Sequence, residues 1–262
     1  MRKKKFTAKH LKKTYFSWNH SQGGGYVLKK ILPSMVTVWA LCMGLTALSF
    51  AFEKMWTYAA ASVLIAGFLD GIDGPLARYF NTSTEFGAEL DSLADFINFG
   101  VAPALISYVF CLQSWGRWGW SCCLFFATCC GLRLARFNIQ RTRPSHLPPF
   151  FSIGVPAPAG AMIALMPLIF YFIFGYSFQA FHAFCLLLSG TLMISRYPTF
   201  VPKYLKIPKK FWRFTLWAGV IFVILALVIP WETLLGCTVL YLASLTVSGW
   251  YAQKSLKEVT QL

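Results

Sequence analysis

Apolar residues run along this chain in long blocks, not in the short alternations of a strand or the one-sided stripes of a soluble helix. The blocks are Pro33–Phe52, Trp56–Phe80, Gly87–Phe110, Trp118–Asn138, Ile153–Phe174, Phe178–Ser195, Trp212–Ile229 and Glu232–Tyr251. About 20 mostly apolar residues in a helix cross the hydrocarbon core of a bilayer. The pattern therefore predicts an all-α, polytopic transmembrane bundle of about eight helices, with residues 33–253 as its single domain. It leaves no room for a soluble module. A polar arm, residues 1–32, precedes the bundle and a short tail, 254–262, follows it. The run Gly23-Gly24-Gly25 reads as a flexible joint between arm and bundle. The arm is too long and too basic before its first apolar run to be a secretory signal peptide.

Charge sets the expected orientation. Only 13% of residues are charged, about half the usual share of a soluble domain. The net charge is nonetheless +15. A basic excess can serve nucleic acid, but here it follows topology. With the N-terminus in the cytoplasm, every Lys and Arg except Lys54 and Arg117 falls on the cytoplasmic side. Both termini are then cytoplasmic, the arm faces anionic lipid headgroups, and no nucleic-acid partner is needed. The 8 cysteines all lie in apolar blocks, and neither they nor the 4 histidines show zinc-type spacing. They read as packing thiols and scattered imidazoles.

The exceptional stretch is FLDGIDGPLARYFNTSTEFGAELDSLADFINFG, Phe68 to Gly100. It holds Asp70, Asp73, Asp91 and Asp95, and the rest of the chain has no aspartate. On a helix, Asp70, Asp73, Gly74, Ala77 and Arg78 share one face; so do Gly87, Asp91 and Asp95, with Asn98 further in. The short link Asn81–Phe86 makes the two helices antiparallel neighbours, with their acid faces opposed at the cytoplasmic end. Converging carboxylates in low dielectric must share protons or hold cations. Oxygen-only ligands select Mg²⁺ or Mn²⁺ over zinc, and two such ions would balance four charges. Each acid costs roughly 2.5–3.5 kcal/mol to place in a membrane helix, so a purely structural role is a poor account of them. Gly74, Ala77 and Gly87 leave room for a flat group against the backbone, or serve close helix packing. Arg78 offers a planar donor fork for a phosphate or a base edge.

The spacing D-G-x-x-A-R followed by G-x-x-x-D-x-x-x-D resembles the signature of the CDP-alcohol phosphotransferases. Here it reads Asp73-Gly74-Pro75-Leu76-Ala77-Arg78, then Gly87, Asp91 and Asp95, with Asp70 matching the upstream aspartate. The stretches Phe86–Ala104, Gly131–Asn138 and Ile153–Gly160 are similar to the bacterial members that use serine as acceptor. The likeness runs from about Pro33 to Gly160. It implies that Asp70, Asp73, Asp91 and Asp95 hold two Mg²⁺ or Mn²⁺ ions, and that Asp95 is also the general base. It implies that Gly74, Ala77, Arg78 and Gly87 bind the CDP moiety, together with Ser34 and Thr37 of the first block. Two positions depart from the family pattern: Ser34 stands where Asn is usual, and Pro75 where Arg is usual. The implied substrates are CDP-diacylglycerol and L-serine. The implied setting is a homodimer in the bacterial cytoplasmic membrane, with the site facing the cytoplasm.

Some readings stay open. Arg133 and Arg136, one turn apart, could bind a carboxylate or lipid phosphate, or could anchor the helix end. Ser92 and Asn98 could contact the amine of serine or pair across helices. Glycerol 3-phosphate or inositol phosphate could replace serine, though a phosphorylated acceptor asks for a further basic cluster. A divalent-cation transporter would also carry intramembrane acids, but near the midplane with access from both sides.

Overall fold

The computed structural model describes residues 24–80, 84–141, 151–195, 198–200 and 212–260. The first part of the basic arm, most of the loop between the sixth and seventh blocks, and Arg143 lie outside the described residues.

Every expected block contains a helix. The helices are α1 (Gly24–Phe52), α2 (Trp56–Tyr79), α3 (Glu85–Asp95), α4 (Ala102–Phe110), α5 (Arg117–Arg141), α6 (Ala157–Phe174), α7 (Gln179–Ile194), α8 (Trp212–Val228) and α9 (Pro230–Thr260). Five stretches among the described residues are long and apolar enough to cross a membrane: Ile31–Phe52, Trp56–Tyr79, Glu85–Phe110, Arg117–Ile139 and Ala157–Phe174. Helix α7 is shorter, at 16 residues. The architecture is that of a helical membrane bundle.

Three local features differ from expectation. Helix α1 starts at Gly24, ahead of Pro33, so Gly24 and Gly25 form its first turn and not a joint. The intervening YVLKKIL contains no breaker, and the amides of a first turn need no helical partner. The third block is not one regular helix. Between α3 and α4 the six residues Phe96–Val101 form a π-helical turn. Pro103 lies in the first turn of α4. It has no N–H to donate to the carbonyl of Phe99, so the regular ladder is interrupted there. The fifth block begins later than Ile153. Gly154 takes φ +77°, Pro156 is extended at ψ 146°, and α6 starts only at Ala157. Ile153 instead ends a short strand, β1 (Phe151–Ile153), which pairs antiparallel with β2 (Pro198–Phe200). Among the described residues the chain is thus helical apart from this three-residue ladder.

Small side chains let the helices approach closely. Ala47 and Ala51 of α1, Ala59, Ala60 and Val63 of α2, Ala102 and Ile106 of α4, and Leu165 and Leu168 of α6 form one buried cluster. A second joins α4 to α5, α6 and α7 around Phe126, Leu186 and Met193. Cys123, Cys129, Cys130 and Cys185 are buried and free, as packing thiols should be. Helices α2 and α3 both rest on α1, and α2 also meets the π turn and α4, but α2 and α3 make little contact with each other. The backbones of α2 and α3 therefore stay apart, and the space between them is where the acidic side chains project.

Candidate active site

The site is built at the end of the bundle where α2 finishes and α3 begins. Helix α3 starts there because Thr84 caps it: its Oγ1 accepts from the Gly87 amide at 3.0 Å. This fixes the phase of the turns that follow and so aims Asp91 and Asp95. Oxygens of Asp70, Asp91 and Asp95 lie within 4.8 Å of one another. Oxygens bound to one Mg²⁺ stand about 3 Å apart at adjacent positions and about 4.2 Å apart across the ion. Small rotations of the three side chains would bring them onto a shared cation. Asp95 Oδ1 strengthens that fit, since it is buried and has no hydrogen-bond partner among the described residues. Buried carboxylate oxygens without donors call for a cation or a proton.

Asp73 stands apart from those three. It is 6% exposed and its Oδ2 accepts from Thr37 Oγ1 at 2.7 Å. The same hydroxyl also lies 3.2 Å from the Pro33 carbonyl. Asp73 and Asp91 face a cavity of about 280 Å³ that Ser34, Thr37, Gly74, Ala77, Arg78 and Gly87 also line. All six positions that the resemblance assigns to CDP thus border one space, next to the carboxylates. Thr84 and Ala88 complete the wall. Thr84 was legible as a helix start signal, since an N-cap threonine precedes the apolar run.

The glycines separate the packing reading from the ligand reading. A Cβ placed on Gly74 would meet nothing within 4 Å, so no helix packs on it. Its bare face opens to the cavity. Gly87 is tighter: a Cβ there would lie 3.1 Å from Thr84 Oγ1 and 3.7 Å from Ser34 Oγ.

The polar residues deeper in the bundle are sorted by their bonds. Ser92 Oγ donates to the Ala88 carbonyl at 3.0 Å and accepts from Asn138 Nδ2 at 2.9 Å, which ties α3 to α5. Asn98 is fully buried in the π turn, pressed against Gly44 of α1, where any larger residue would collide with its Oδ1. Arg136 binds the end of α7: its guanidinium donates to the carbonyls of Ile194 at 3.0 Å, Met193 at 3.2 Å and Ser195 at 3.4 Å. It satisfies carbonyls that a helix end leaves open. Arg133 is different. It is half-buried, stacks over Phe137 at 5.4 Å, and lies within electrostatic reach of Asp95.

Comparison with known proteins bears on this geometry. The sequence profile described as CDP-alcohol phosphatidyltransferase matches residues 30–195, which contain every residue of the cavity and the carboxylate cluster. A Mycobacterium bovis protein named CDP-diacylglycerol--serine O-phosphatidyltransferase is 48% identical over 144 residues, covering 53% of this chain and 50% of its own. The chain thus spans about half the length of that relative. A Helicobacter pylori protein of the same name is 38% identical over 176 residues, 65% of this chain and 73% of its own. One of the same name from Bacillus subtilis is 37% identical over 131 residues, 50% of this chain and 71% of its own. The profile covers more than half of the chain and includes the cavity and the three converging aspartates: the chain belongs to the CDP-alcohol phosphatidyltransferase family.

Proposed function

We propose that this protein transfers the phosphatidyl group of CDP-diacylglycerol to the hydroxyl of L-serine, giving phosphatidylserine and CMP. One observation carries the reading: the cavity lined by Gly74, Ala77, Arg78, Gly87, Ser34 and Thr37 is lined also by Asp91, whose carboxylate converges with those of Asp70 and Asp95. The names of the relatives supply serine as acceptor.

Each residue then has a task. The open face at Gly74 and Ala77 receives the flat cytidine, and Arg78 offers donors to its diphosphate. Thr37 holds Asp73 at the mouth of the cavity. Asp95 takes the proton of the serine hydroxyl. The serine oxygen forms a bond to the β-phosphorus as the bond from that phosphorus to the CMP oxygen breaks, and CMP leaves. Asp70, Asp73, Asp91 and Asp95 would hold two divalent ions, Mg²⁺ or Mn²⁺. When bound, such ions neutralise the diphosphate and stabilise both oxygens of an in-line displacement.

The setting follows from charge. The basic residues of the arm, the turn at Arg78 and the later loops place the carboxylates and both termini on the cytoplasmic side of a bacterial inner membrane. The first 32 residues act there as a lipid-touching arm, residues 33–253 as the transferase domain, and 254–262 as a tail. A homodimer is the assembly we assign. The carboxylates cluster at one end of the bundle, which disfavours a transporter with midplane acids open to both sides.

The test is CMP release by the purified protein from CDP-diacylglycerol, with and without Mg²⁺ or Mn²⁺, across serine, glycerol 3-phosphate and inositol phosphate. Metal-dependent release with serine is expected. Release only with a phosphorylated alcohol would discard serine, and cation flux into vesicles without release would discard the transferase.

A further inference from the structure

Helix α3 carries Asp91 and Asp95, yet packing grips it weakly. Among its 11 residues only Ala94 is buried, while Phe86 and Leu93 are exposed. The helix rests on α1 and runs into the π turn. One buried methyl group offers no ridge that would lock a helix against rotation about its own axis. The Thr84 cap acts inside the first turn of α3 and ties it to no neighbour. Rotation matters here. Side chains reach roughly 5–6 Å from a helix axis, so a turn of about 20° would carry a carboxylate oxygen by about 2 Å. Metal–ligand distances are fixed to within about 0.2 Å.

A hydrogen bond to α5 supplies the missing hold. Ser92 Oγ donates its one proton to the Ala88 carbonyl at 3.0 Å and accepts from Asn138 Nδ2 at 2.9 Å. Its donor is thus committed within α3, and the amide of Asn138 grips it from outside. Ser92 stands about 100° round the helix from Asp91 and about 60° from Asp95, so the grip falls beside the acid face. The post it is tied to is firm. Leu134 of α5 is buried in one cluster with Leu186 and Met193 of α7. Arg136, two residues before Asn138, donates to the carbonyls of Met193, Ile194 and Ser195.

We infer that Asn138 is a positioning residue: through Ser92 it fixes the rotation of α3 and so aims Asp91 and Asp95 at the divalent cation. This rests on the cation reading of the aspartates given above. It also makes Ser92 a tie between helices and not a contact for the acceptor.

The experiment measures Mn²⁺ binding to the full-length protein in detergent, without substrates, from the EPR signal of free Mn²⁺. The variants are Ser92→Ala, Asn138→Leu, both together, and Ser92→Thr, whose hydroxyl can make the same bonds. Each single loss should weaken Mn²⁺ binding about tenfold, the lower end for disturbing the groups that orient metal ligands. The double variant should be no weaker than the worse single one, since both remove the same bond. Ser92→Thr should bind as the unaltered protein does. CMP release lost at low Mn²⁺ should return when Mn²⁺ is raised. Unchanged Mn²⁺ affinity in both single variants overturns the inference. So do losses that multiply in the double variant, which mark two separate roles. A raised KM for serine at unchanged Mn²⁺ affinity overturns it too, and makes the pair an acceptor contact. A fall in melting temperature that tracks the lost affinity and that Ser92→Thr does not reverse overturns it as general misfolding. Failure of the unaltered protein to bind Mn²⁺ at all overturns the cation reading and this inference with it.

Discussion

The two ends of the bundle are both polar, and they are polar in opposite ways. At the end where α4 gives way to α5 and α6 turns into α7, the exposed polar side chains bond one another, while Ser107 Oγ and His182 Nδ1 beneath them are buried without a partner among the described residues. Trp115 Nε1 donates to Gln179 Oε1 at 2.9 Å, and Gln179 Nε2 donates to Ser114 Oγ at 2.8 Å. They border a broad open hollow, but their main donors and acceptors are already used. At the end where α2 meets α3, Asp95 Oδ1 is buried without a donor, Gly74 faces empty space, and three carboxylates converge. A satisfied network fastens a turn. An unsatisfied one, where like charges meet, is costly to hold together unless a ligand, a proton or a cation joins them. Converging carboxylates beside an open cavity, more than polarity or an unpaired polar atom, set the α2–α3 end apart.

That contrast can be broken by substitution, and the largest effect is expected at Asp95. Asp95→Asn keeps the shape and removes the base, so CMP release should fall by about 10²–10⁴-fold. Retained binding of CDP-diacylglycerol should accompany the loss; normal turnover would remove Asp95 from its role. Next is Gly74→Leu. The protein's own atoms leave that space open, so thermal stability should hold while the KM for CDP-diacylglycerol rises five- to a hundredfold, as for overfilling by about 1–3 kcal/mol. A fall in melting temperature with no change in KM would return Gly74 to a packing role. Arg136→Gln comes third. Losing charged donors to the last carbonyls of α7 should cost roughly 1.5–3 kcal/mol per bond lost, read as a lower melting temperature in detergent. The smallest effect belongs to the opposite end. Gln179→Ala should cost about 0.5–1.5 kcal/mol per hydrogen bond and leave CMP release intact. If Gln179→Ala silenced the protein, the comparison between the two ends would fail.

Sequence made some of this legible and hid the rest, for identifiable reasons. The helices were readable because a membrane span must be long and apolar. The four aspartates were readable because charge in such a block is costly and stands out. Ser34 and Thr37 were readable only by resemblance, since nothing in their own chemistry announces a nucleotide. Arg136 was not readable at all: its carbonyl partners on α7 lie more than fifty residues away in the chain, and a basic residue near a span end looks like an anchor. The ladder of β1 with β2 was hidden for the same reason, as three-residue strands carry no periodicity. The separation of α2 from α3, with α3 leaning on α1 instead, follows from tertiary packing that the short link between them did not reveal.

The π turn at Phe96–Val101 has a further consequence, for insertions and deletions. Such a turn holds one residue more than the regular helix around it. Each residue of an α-helix advances the azimuth by about 100°. The turn therefore works as a phase offset between Asp91 and Asp95 on one side and the packed helix α4 on the other. Removing a single residue between Phe96 and Val101 would restore a regular helix and swing the carboxylates away from Asp70, although every aspartate would still be present. The length of this segment is thus as much a part of the site as its acids: a one-residue deletion there should abolish CMP release in a protein that still inserts and folds, and retained turnover in that deletion would show the offset to be dispensable.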